Sequence, residues 1–292
     1  MELSALRIFK AVAEEGSVTQ AASRLNRVQS NVSARLTQLE ESLGVPLFHR
    51  TGRRLQITSE GARLLSYTER LLQLADEAQA AMQPDQQPAG LLRIGAMETT
   101  AAARLPGMLA AFHGRHPQVD LVLDTGPTDH LLEGVLRHRL DMALVAGPVE
   151  HDELAQIPVF HEELVLITHA AHTPVATPED LARKALLVFR SGCSYRRYLE
   201  KWFAEGGVTP SRVSEFGTFE AIIGCVAAGM GVALMPKELL DQRGLAGTIR
   251  QHPLPQHIAQ VDTMLVWRKD VLYHPARDAF AAVLSPQPPQ QD

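Results

Sequence analysis

The chain has 292 residues, 45% hydrophobic and 21% charged, which is the composition of an ordinary globular protein long enough for two domains. Its longest apolar stretch, residues 221–236, is interrupted by glycines and is shorter than the ~18 residues that span a bilayer, so we expect no membrane segment. The first residues are of mixed polarity, unlike a secretory signal, and two cysteines cannot form a disulfide framework. We therefore expect a cytoplasmic protein.

Charge is distributed unevenly along the chain, although the net charge is only −5. Residues 1–58 carry eight lysines or arginines against five acidic residues, whereas the remaining residues carry 20 against 28. A basic N-terminal segment on an acidic body is typical of a DNA-binding module joined to a domain with another task.

Three helices are predicted at the N-terminus. The first has an apolar face and ends at Gly16, and the second, Val18–Leu25, begins after a capping-box serine, Ser17. The third runs from about Gln29 to Leu43 and is followed by a glycine stop. Two short helices around a tight turn form a helix-turn-helix. The segment 47–58 follows as a predicted hairpin, in the place of a wing.

Polar side chains occupy the outer face of the third helix, and arginines lie near the hairpin turn. Such groups suit base edges and phosphates, although a solvated polar face on a small helical domain is the alternative. The residues predicted to contact DNA are Thr19, Gln29, Ser30, Asn31, Ser33, Arg35, Arg50, Arg53 and Arg54.

A long helix, residues 59–82, is predicted next, with Ser59 as its cap. Its apolar residues alternate spacings of three and four, which favours a dimer seam over packing on its own domain. The predicted dimerisation residues are Leu64, Tyr67, Leu71, Leu74, Ala78 and Ala81. Residues 83–90 contain two prolines and a glycine and are predicted to form a hinge between this linker and the rest.

From residue 91 onward, predicted strands and helices alternate, which indicates parallel α/β sheets. One helix is predicted over 101–116, and a second set of elements begins with a strand at Leu164. The effector domain is predicted over residues 91–285. The Pro/Gln-rich residues 286–292 are expected to be disordered.

Several spaced motifs agree with a single family. They are Ala21–Leu25, Val28–Ser33, Leu39–Gly44, Leu47–Arg50, Thr58–Gly61, Leu140–Leu144 and Gly229–Pro236. Together these segments closely resemble LysR-type transcriptional regulators over nearly the whole chain. The sequence departs from many members at Val28, where a serine is common, and at Ser30, where a proline is common. The departure at Val28 removes a hydroxyl that can contact phosphate or cap the recognition helix.

The resemblance implies a winged helix-turn-helix over residues 1–58, a linker helix over 59–82, and a regulatory domain of two α/β lobes like periplasmic solute-binding proteins. Lobe I is expected at about 91–162 and 266–285, and lobe II at about 163–265. It also implies an effector between the lobes, homodimers or homotetramers, operators with interrupted inverted repeats, and contact with RNA polymerase if the protein activates. No cofactor, catalytic residue or metal is implied.

The effector site is predicted at the carboxyl ends of the strands, where ligands of parallel sheets bind. Hydroxyls and one arginine there suit a small organic acid or an amino-acid-like molecule, although the same hydroxyls can serve only as helix caps. The predicted residues are Met97, Glu98, Thr99, Thr100, Thr125, Thr128, Gly147, Ser191, Cys193, Ser194, Tyr195, Arg196 and Thr218.

Other classes of function remain as alternatives. A solute-binding transport protein would suit the C-terminal part, but the N-terminal module argues against it. An enzyme is disfavoured because hydrolase, nucleotide-binding and metalloprotease motifs are missing from the sequence. The spaced histidines His113/His116 and His169/His172 have no matching metal partners. Redox sensing through Cys193, beside Arg196 and Arg197, is the alternative within the family.

Overall fold

A computed structural model describes residues 2–51, 54–82, 87–245, 247–271 and 273–284. The chain divides into two units, Met1–Gln86 and Gln87–Asp292, and each is described by itself. The predicted hinge at 83–90 lies partly, and the predicted tail wholly, outside the described residues.

The N-terminal unit begins with three helices: α1 (Leu3–Glu15), α2 (Val18–Arg24) and α3 (Gln29–Leu43). Their apolar faces form one core, with Phe9 and Val32 fully buried. Gly16 ends α1 in the left-handed conformation at φ 61°. The side chain of Ser17 accepts a hydrogen bond from the backbone N–H of Gln20, as the capping pattern predicts.

A two-stranded antiparallel hairpin follows, formed by β1 (Phe48–Thr51) and β2 (Arg54–Ile57). The prediction of a hairpin is confirmed. Phe48 packs against Phe9 with ring centroids 5.5 Å apart, and a backbone hydrogen bond of 3.0 Å joins the N–H of Leu55 to the carbonyl of Gly16. The hairpin is therefore fixed to the end of α1.

The long helix α4 (Ser59–Ala81) begins one residue after its cap. The prediction of Ser59 as the cap is wrong, because the hydroxyl of Thr58 accepts the N–H of Gly61 at 2.9 Å. The hydroxyl of Ser59 instead donates to the carboxylate of Glu60. One side of α4 packs against the N-terminal core through Leu64 and Leu65, while Tyr67 and Leu74 on another side are exposed.

The C-terminal unit opens with the elements of lobe I. In chain order they are β3 (Gly90–Ala96), α5 (Glu98–Ala103), α6 (Leu105–Arg115), β4 (Val119–Thr125), α7 (Thr128–Leu136) and β5 (Met142–Ala146). Strand β3 lies between β4 and β5 and pairs with both in parallel, as predicted for this part. The single helix predicted over 101–116 is wrong: two helices meet at Arg104, because Pro106 fits only the first turn of a helix.

A 16-residue strand, β6 (Leu154–His169), leaves lobe I and continues into lobe II. The sequence analysis began this strand at Leu164 and missed its first ten residues. That missed segment alternates exposed and buried positions and contains Pro158, which weakens a strand pattern.

Lobe II contains the remaining middle elements. They are a short 3₁₀ helix (Pro178–Leu181), β7 (Ala185–Phe189), α8 (Ser194–Glu205), β8 (Arg212–Phe216), α9 (Phe219–Ala227), β9 (Ala233–Pro236), α10 (Lys237–Asp241), β10 (Ile249–His252) and α11 (Gln256–Ala259). Strand β7 pairs in parallel with β8, whereas β9 and β10 pair antiparallel with β6. The expectation of purely parallel sheets is therefore wrong.

The chain returns through β11 (Gln260–Arg268) and ends with α12 (Pro275–Leu284). Strand β11 is antiparallel to both β6 and β5, so it belongs to the lobe I sheet along its length. The predicted boundary at 265/266 accordingly falls inside a strand. A buried cluster runs without a break from Leu131 of lobe I to Trp202 of lobe II, so the two lobes share core packing.

Candidate functional site

The candidate DNA-binding surface is the outer face of α3. Val32 and Leu36 are buried in the core, and the five predicted contact residues between positions 29 and 35 are exposed. They are Gln29, Ser30, Asn31, Ser33 and Arg35. Thr19 on α2 is exposed as well. Val28 precedes the helix and is 71% exposed, so an apolar side chain stands where a capping hydroxyl would be expected.

Ion pairs decide which cations of this unit are free for phosphate. Arg24 is bound by Glu14 at 2.6 Å and by Glu15 at 3.1 Å, and Arg35 lies 3.4 Å from Glu2. Arg27, in the turn before α3, is exposed and forms no ion pair with any residue that the structure describes. Arg27 is not among the predicted DNA contacts, because the sequence pattern places it only in the turn.

The predicted wing arginines are described less fully. Arg50 and Arg54 lie on the two strands of the hairpin, but the structure describes only their backbone. Arg53 lies outside the described residues. The prediction that these arginines contact DNA stays a prediction.

A cavity of about 240 Å³ lies between the two lobes of the C-terminal unit. The loops after β3 and β4 line it from lobe I, and the loops after β7 and β8 line it from lobe II. The lining residues are Met97, Glu98, Thr99, Thr125, Gly126, Pro127, Phe189, Arg190, Cys193, Tyr195, Phe216, Gly217 and Thr218. Strand ends from both lobes thus meet around one small space, as expected for this topology.

Seven residues predicted from the sequence line this cavity, and six others lie elsewhere. Thr100 is buried beside the site, and Ser191 is exposed outside it. The carbonyl of Gly147 accepts a hydrogen bond of 3.1 Å from Tyr198. Arg196 is held away from the cavity by ion pairs with Glu200, one turn further along α8, and with Glu215 on β8.

The last two predicted effector residues that lie outside the cavity lining, Thr128 and Ser194, connect the lobes. Their hydroxyls form a buried hydrogen bond of 3.0 Å between the first residue of α7 and the first residue of α8. The backbone N–H of Asp129 donates to the carbonyl of Gly192 at 3.3 Å, next to this bond. These two residues therefore close one side of the cleft between the lobes.

Arg190 is the cavity residue of most chemical interest that the sequence analysis missed. It follows β7 directly, whereas the predicted loop was started at Ser191. Its guanidinium lies over Gly217, where a Cβ would come within 3.2 Å of Nη2. Within the described ranges Arg190 has no side-chain hydrogen bond or ion pair, so the charge is available to an anionic ligand.

Thr99 is a deeply buried polar group of the cavity wall. It is buried, and its hydroxyl has no hydrogen-bond partner of ordinary geometry in the described part of the protein, although it faces the phenol of Tyr195. Burial raises the pKa of Tyr195, which is a neutral donor at physiological pH. A buried hydroxyl without a partner is costly, so Thr99 gains from a polar ligand.

Burial also acts on the cavity's acidic groups. It raises the pKa of the half-buried Glu98 carboxylate, and the negative charge of Glu220 raises that pKa further. It raises the pKa of the Cys193 thiol as well, outweighing the opposing effect of the nearby backbone N–H groups and of Arg196 and Arg197. Burial therefore outweighs the two arginines, which lower the pKa as expected, and because the net pKa is raised the thiol is a poor nucleophile.

The predicted dimer seam has a mixed environment in the single chain. Tyr67, Leu71, Leu74 and Ala78 are exposed on α4, with Leu74 at 62%. Leu64 is partly covered by its own N-terminal core, so it is less available to a partner than predicted. The side chain of Ala81 is not described.

Comparison with known proteins decides the family. The model of the bacterial regulatory helix-turn-helix protein of the lysR family matches residues 3–62, and the model of the LysR substrate binding domain matches residues 85–287. The chain belongs to the LysR family of transcriptional regulators. It is therefore a DNA-binding transcriptional regulator with an effector-binding domain.

Relatives within the LysR family align over almost the full chain. The HTH-type transcriptional regulator GltR of Bacillus subtilis is 44% identical, covering 96% of this chain and 95% of its own. YofA of the same organism is 43% identical, with 96% and 97% covered. SoxR of an Arthrobacter species is 40% identical, with 99% and 98% covered. All three are named as HTH-type transcriptional regulators.

Solved structures of LysR-family proteins share the fold. A full-length variant of OxyR from Pseudomonas aeruginosa matches with a TM-score of 0.75 at 24% identity, covering 97% of this chain and 94% of its own. Full-length CbnR in complex with its target DNA matches with a TM-score of 0.68 at 24% identity, covering 97% and 99%. These likenesses show the arrangement of elements and leave the ligand open.

Two further features complete the description of this LysR-family regulator. In the part of the chain that the structure describes, no helix has the length and apolarity needed to cross a membrane. Within that same part, histidine, cysteine and acidic side chains form no group of three or more suited to hold a metal ion.

Proposed function

We propose that this regulator reads operator DNA with the N-terminal half of α3 and responds to a small molecule that carries a carboxylate, an organic acid or an amino-acid-like compound. The effector occupies the cavity of about 240 Å³ between the lobes. The observation that carries the proposal is the buried Thr99 hydroxyl in the cavity wall, which faces the phenol of Tyr195 but has no hydrogen-bond partner of ordinary geometry among the described residues.

Charge and hydrogen bonding support the carboxylate. The unpaired guanidinium of Arg190 borders the cavity, and guanidinium groups bind carboxylates through two parallel hydrogen bonds. Hydroxyls of Thr99, Thr125, Thr218 and Tyr195 line the same space. The remaining lining is mostly apolar, which strengthens each polar contact by excluding water.

The DNA-binding part rests on exposure and charge. Asn31 and Gln29 are exposed on the N-terminal half of α3, which is the part of a recognition helix that reaches base edges. Arg27 and the hairpin arginines supply phosphate contacts. The exposed stripe on α4 joins two copies on an inverted-repeat operator, dimers can pair into tetramers, and an activating form contacts RNA polymerase.

The experiment is a thermal-shift screen of the full-length protein against organic acids and amino acids, followed by calorimetry of each hit. Thr99→Val and Arg190→Ala should each weaken a hit at least tenfold. Thr100→Val is the matched control: it removes a buried, unpartnered hydroxyl next in sequence that does not line the cavity. A hit whose affinity is the same in all three variants contradicts this placement of the effector.

A further inference from the structure

The two charged groups that border the cavity come from different lobes. Glu98 is the first residue of α5 in lobe I, and Arg190 follows β7 in lobe II. Their charges are opposite, and no ion pair joins them in the described chain. A ligand between them meets a carboxylate on one side and a guanidinium on the other.

The surroundings of Glu98 favour a cation. The carboxylate of Glu220, at the start of α9, is the charged group that faces Glu98 and repels it. Glu220 is only weakly compensated by Arg243, whose Nη2 lies 3.7 Å away. The backbone N–H of Phe219 favours the ionised form of Glu98, but less strongly than burial and Glu220 oppose it. An ammonium group beside Glu98 would relieve the repulsion between the two carboxylates.

The rest of the lining favours an apolar substituent. Met97, Pro127, Phe189 and Phe216 face the space between the two charged groups. A cavity of about 240 Å³ is below the ~300–1,000 Å³ of common ligand pockets, so it suits a molecule of few atoms.

We propose that the effector is a zwitterionic α-amino acid with an apolar side chain, its ammonium group at Glu98 and its carboxylate at Arg190 and Thr99. This inference rests on the proposed function, because it assigns a chemical class to the same cavity. The amino acid satisfies both charged groups of the cavity at once, Glu98 and Arg190, which neither an amine nor a carboxylic acid does.

The test is calorimetry of the full-length protein with nine compounds. They are L-leucine, L-methionine and L-phenylalanine, and for each the analogue without its amino group and the analogue without its carboxylate. At least one amino acid should bind, and its two analogues should bind at least tenfold more weakly. Glu98→Gln should reduce the discrimination between that amino acid and its analogue without the amino group to less than threefold. Glu163→Gln, on the exposed face of β6, is the matched control and should leave this discrimination unchanged.

Proton release gives a second readout. Because Glu98 holds its proton to a higher pH than an exposed glutamate, binding of the ammonium group releases protons as Glu98 ionises. The affinity for the amino acid should therefore rise with pH through the titration of Glu98, and Glu98→Gln should flatten this dependence.

Each other outcome overturns the inference. An analogue without the amino group that binds as tightly as the amino acid, or discrimination that survives Glu98→Gln, removes the ammonium site. The ammonium site is also contradicted if none of the nine compounds binds while another carboxylate from the screen does. In these cases Thr99→Val and Arg190→Ala still test the proposed function. If a bound compound is insensitive to both, the cavity itself is the wrong site and both proposals fail.

Discussion

The guanidinium of Arg104 donates from Nε and Nη2 to the two carboxylate oxygens of Glu162, at 3.0 and 3.2 Å. The side chain of Glu162 is only 4% exposed, and Nη1 of Arg104 lies 3.7 Å from Glu238 of lobe II. Glu162 lies on β6, the strand that runs from lobe I into lobe II. This ion pair therefore fixes the start of α6 to the part of β6 that passes between the lobes.

Removal of Arg104 should therefore be strongly destabilising. Arg104→Met leaves the buried carboxylate of Glu162 without its partner, which should lower the free energy of unfolding by about 3–5 kcal/mol. The double variant Arg104→Met/Glu162→Met should regain most of that loss. Denaturant unfolding of the full chain measures both, with Arg137→Met as the control, since its pair with Glu133 is exposed. A double variant no more stable than the single one would contradict this expectation.

Replacement of either Thr99 or Thr100 by valine should stabilise the effector-free protein. Each hydroxyl is buried without a hydrogen-bond partner in the described structure, so its removal relieves a desolvation cost and should raise the free energy of unfolding by up to ~1 kcal/mol. Denaturant unfolding of the two variants without effector measures this. Destabilisation of both by more than ~1 kcal/mol would show that the hydroxyls are hydrogen-bonded in solution.

Asn31→Ala should weaken specific DNA binding by about 1–3 kcal/mol and relax the preference at one operator position. Its side chain is exposed on α3, with no role in the core. The measurement is selection from a randomised operator, followed by titration of the selected sites. Thr37→Ala, exposed in the C-terminal half of the same helix, is the control and should keep the parent's preference. An unchanged preference in Asn31→Ala would show that this face does not read bases.

Leu74→Lys should produce a monomer that no longer binds a two-half-site operator. Leu74 is 62% exposed in the single chain, so lysine there costs the monomer little, but a paired seam would bury its charge. Analytical ultracentrifugation measures the change. Gln79→Lys places the same charge on α4 off the apolar stripe and should remain oligomeric. If both variants sediment like the parent, the stripe is not the seam.

Stability should also depend on pH through His252. This buried ring accepts the N–H of Val175 at Nδ1 (3.2 Å), so its Nε2 carries the proton that is shared with the hydroxyl of Thr168 (2.9 Å). Burial, together with the charges of His172 and Arg250, lowers the pKa of His252 below 6.5. The unfolded chain therefore takes up a proton at a higher pH than the folded one, and stability is lost as pH falls below about 6.5.

The measurement is denaturant unfolding between pH 7.5 and 5. His252→Gln should reduce the slope of the free energy of unfolding against pH by up to ~1.4 kcal/mol per pH unit. The exposed His257, paired with Glu205, provides the control His257→Gln. Equal slopes in the parent and in His252→Gln would contradict the buried-histidine explanation.

Much of the fold followed from local patterns. Helices α1 to α4 and the hairpin have strong periodicity, caps and glycine stops, so their positions were predicted within about two residues. The first ten residues of β6 were missed because Pro158 lies within them and weakens the strand pattern. The short elements α10, β10 and α11 were missed because four or five residues carry no measurable period.

The candidate effector site was only half predictable. Strand-end topology placed Thr99, Cys193 and Tyr195 at the right edge of the sheets, because that edge follows from connectivity. It did not give the directions of individual side chains. Arg196 was predicted to face the cavity but pairs along its own helix, and Arg190, one residue past a strand, borders the cavity instead.

The length of β6 limits how the C-terminal unit can move. Its 16 residues are hydrogen-bonded to β11 in one half and to β9 and β10 in the other. The strand is continuous through the crossing, although its partners change between Glu163 and Leu164. Closure around an effector must therefore twist β6 along its length. The small rotation is then shared among many backbone bonds and moves both ends of the strand.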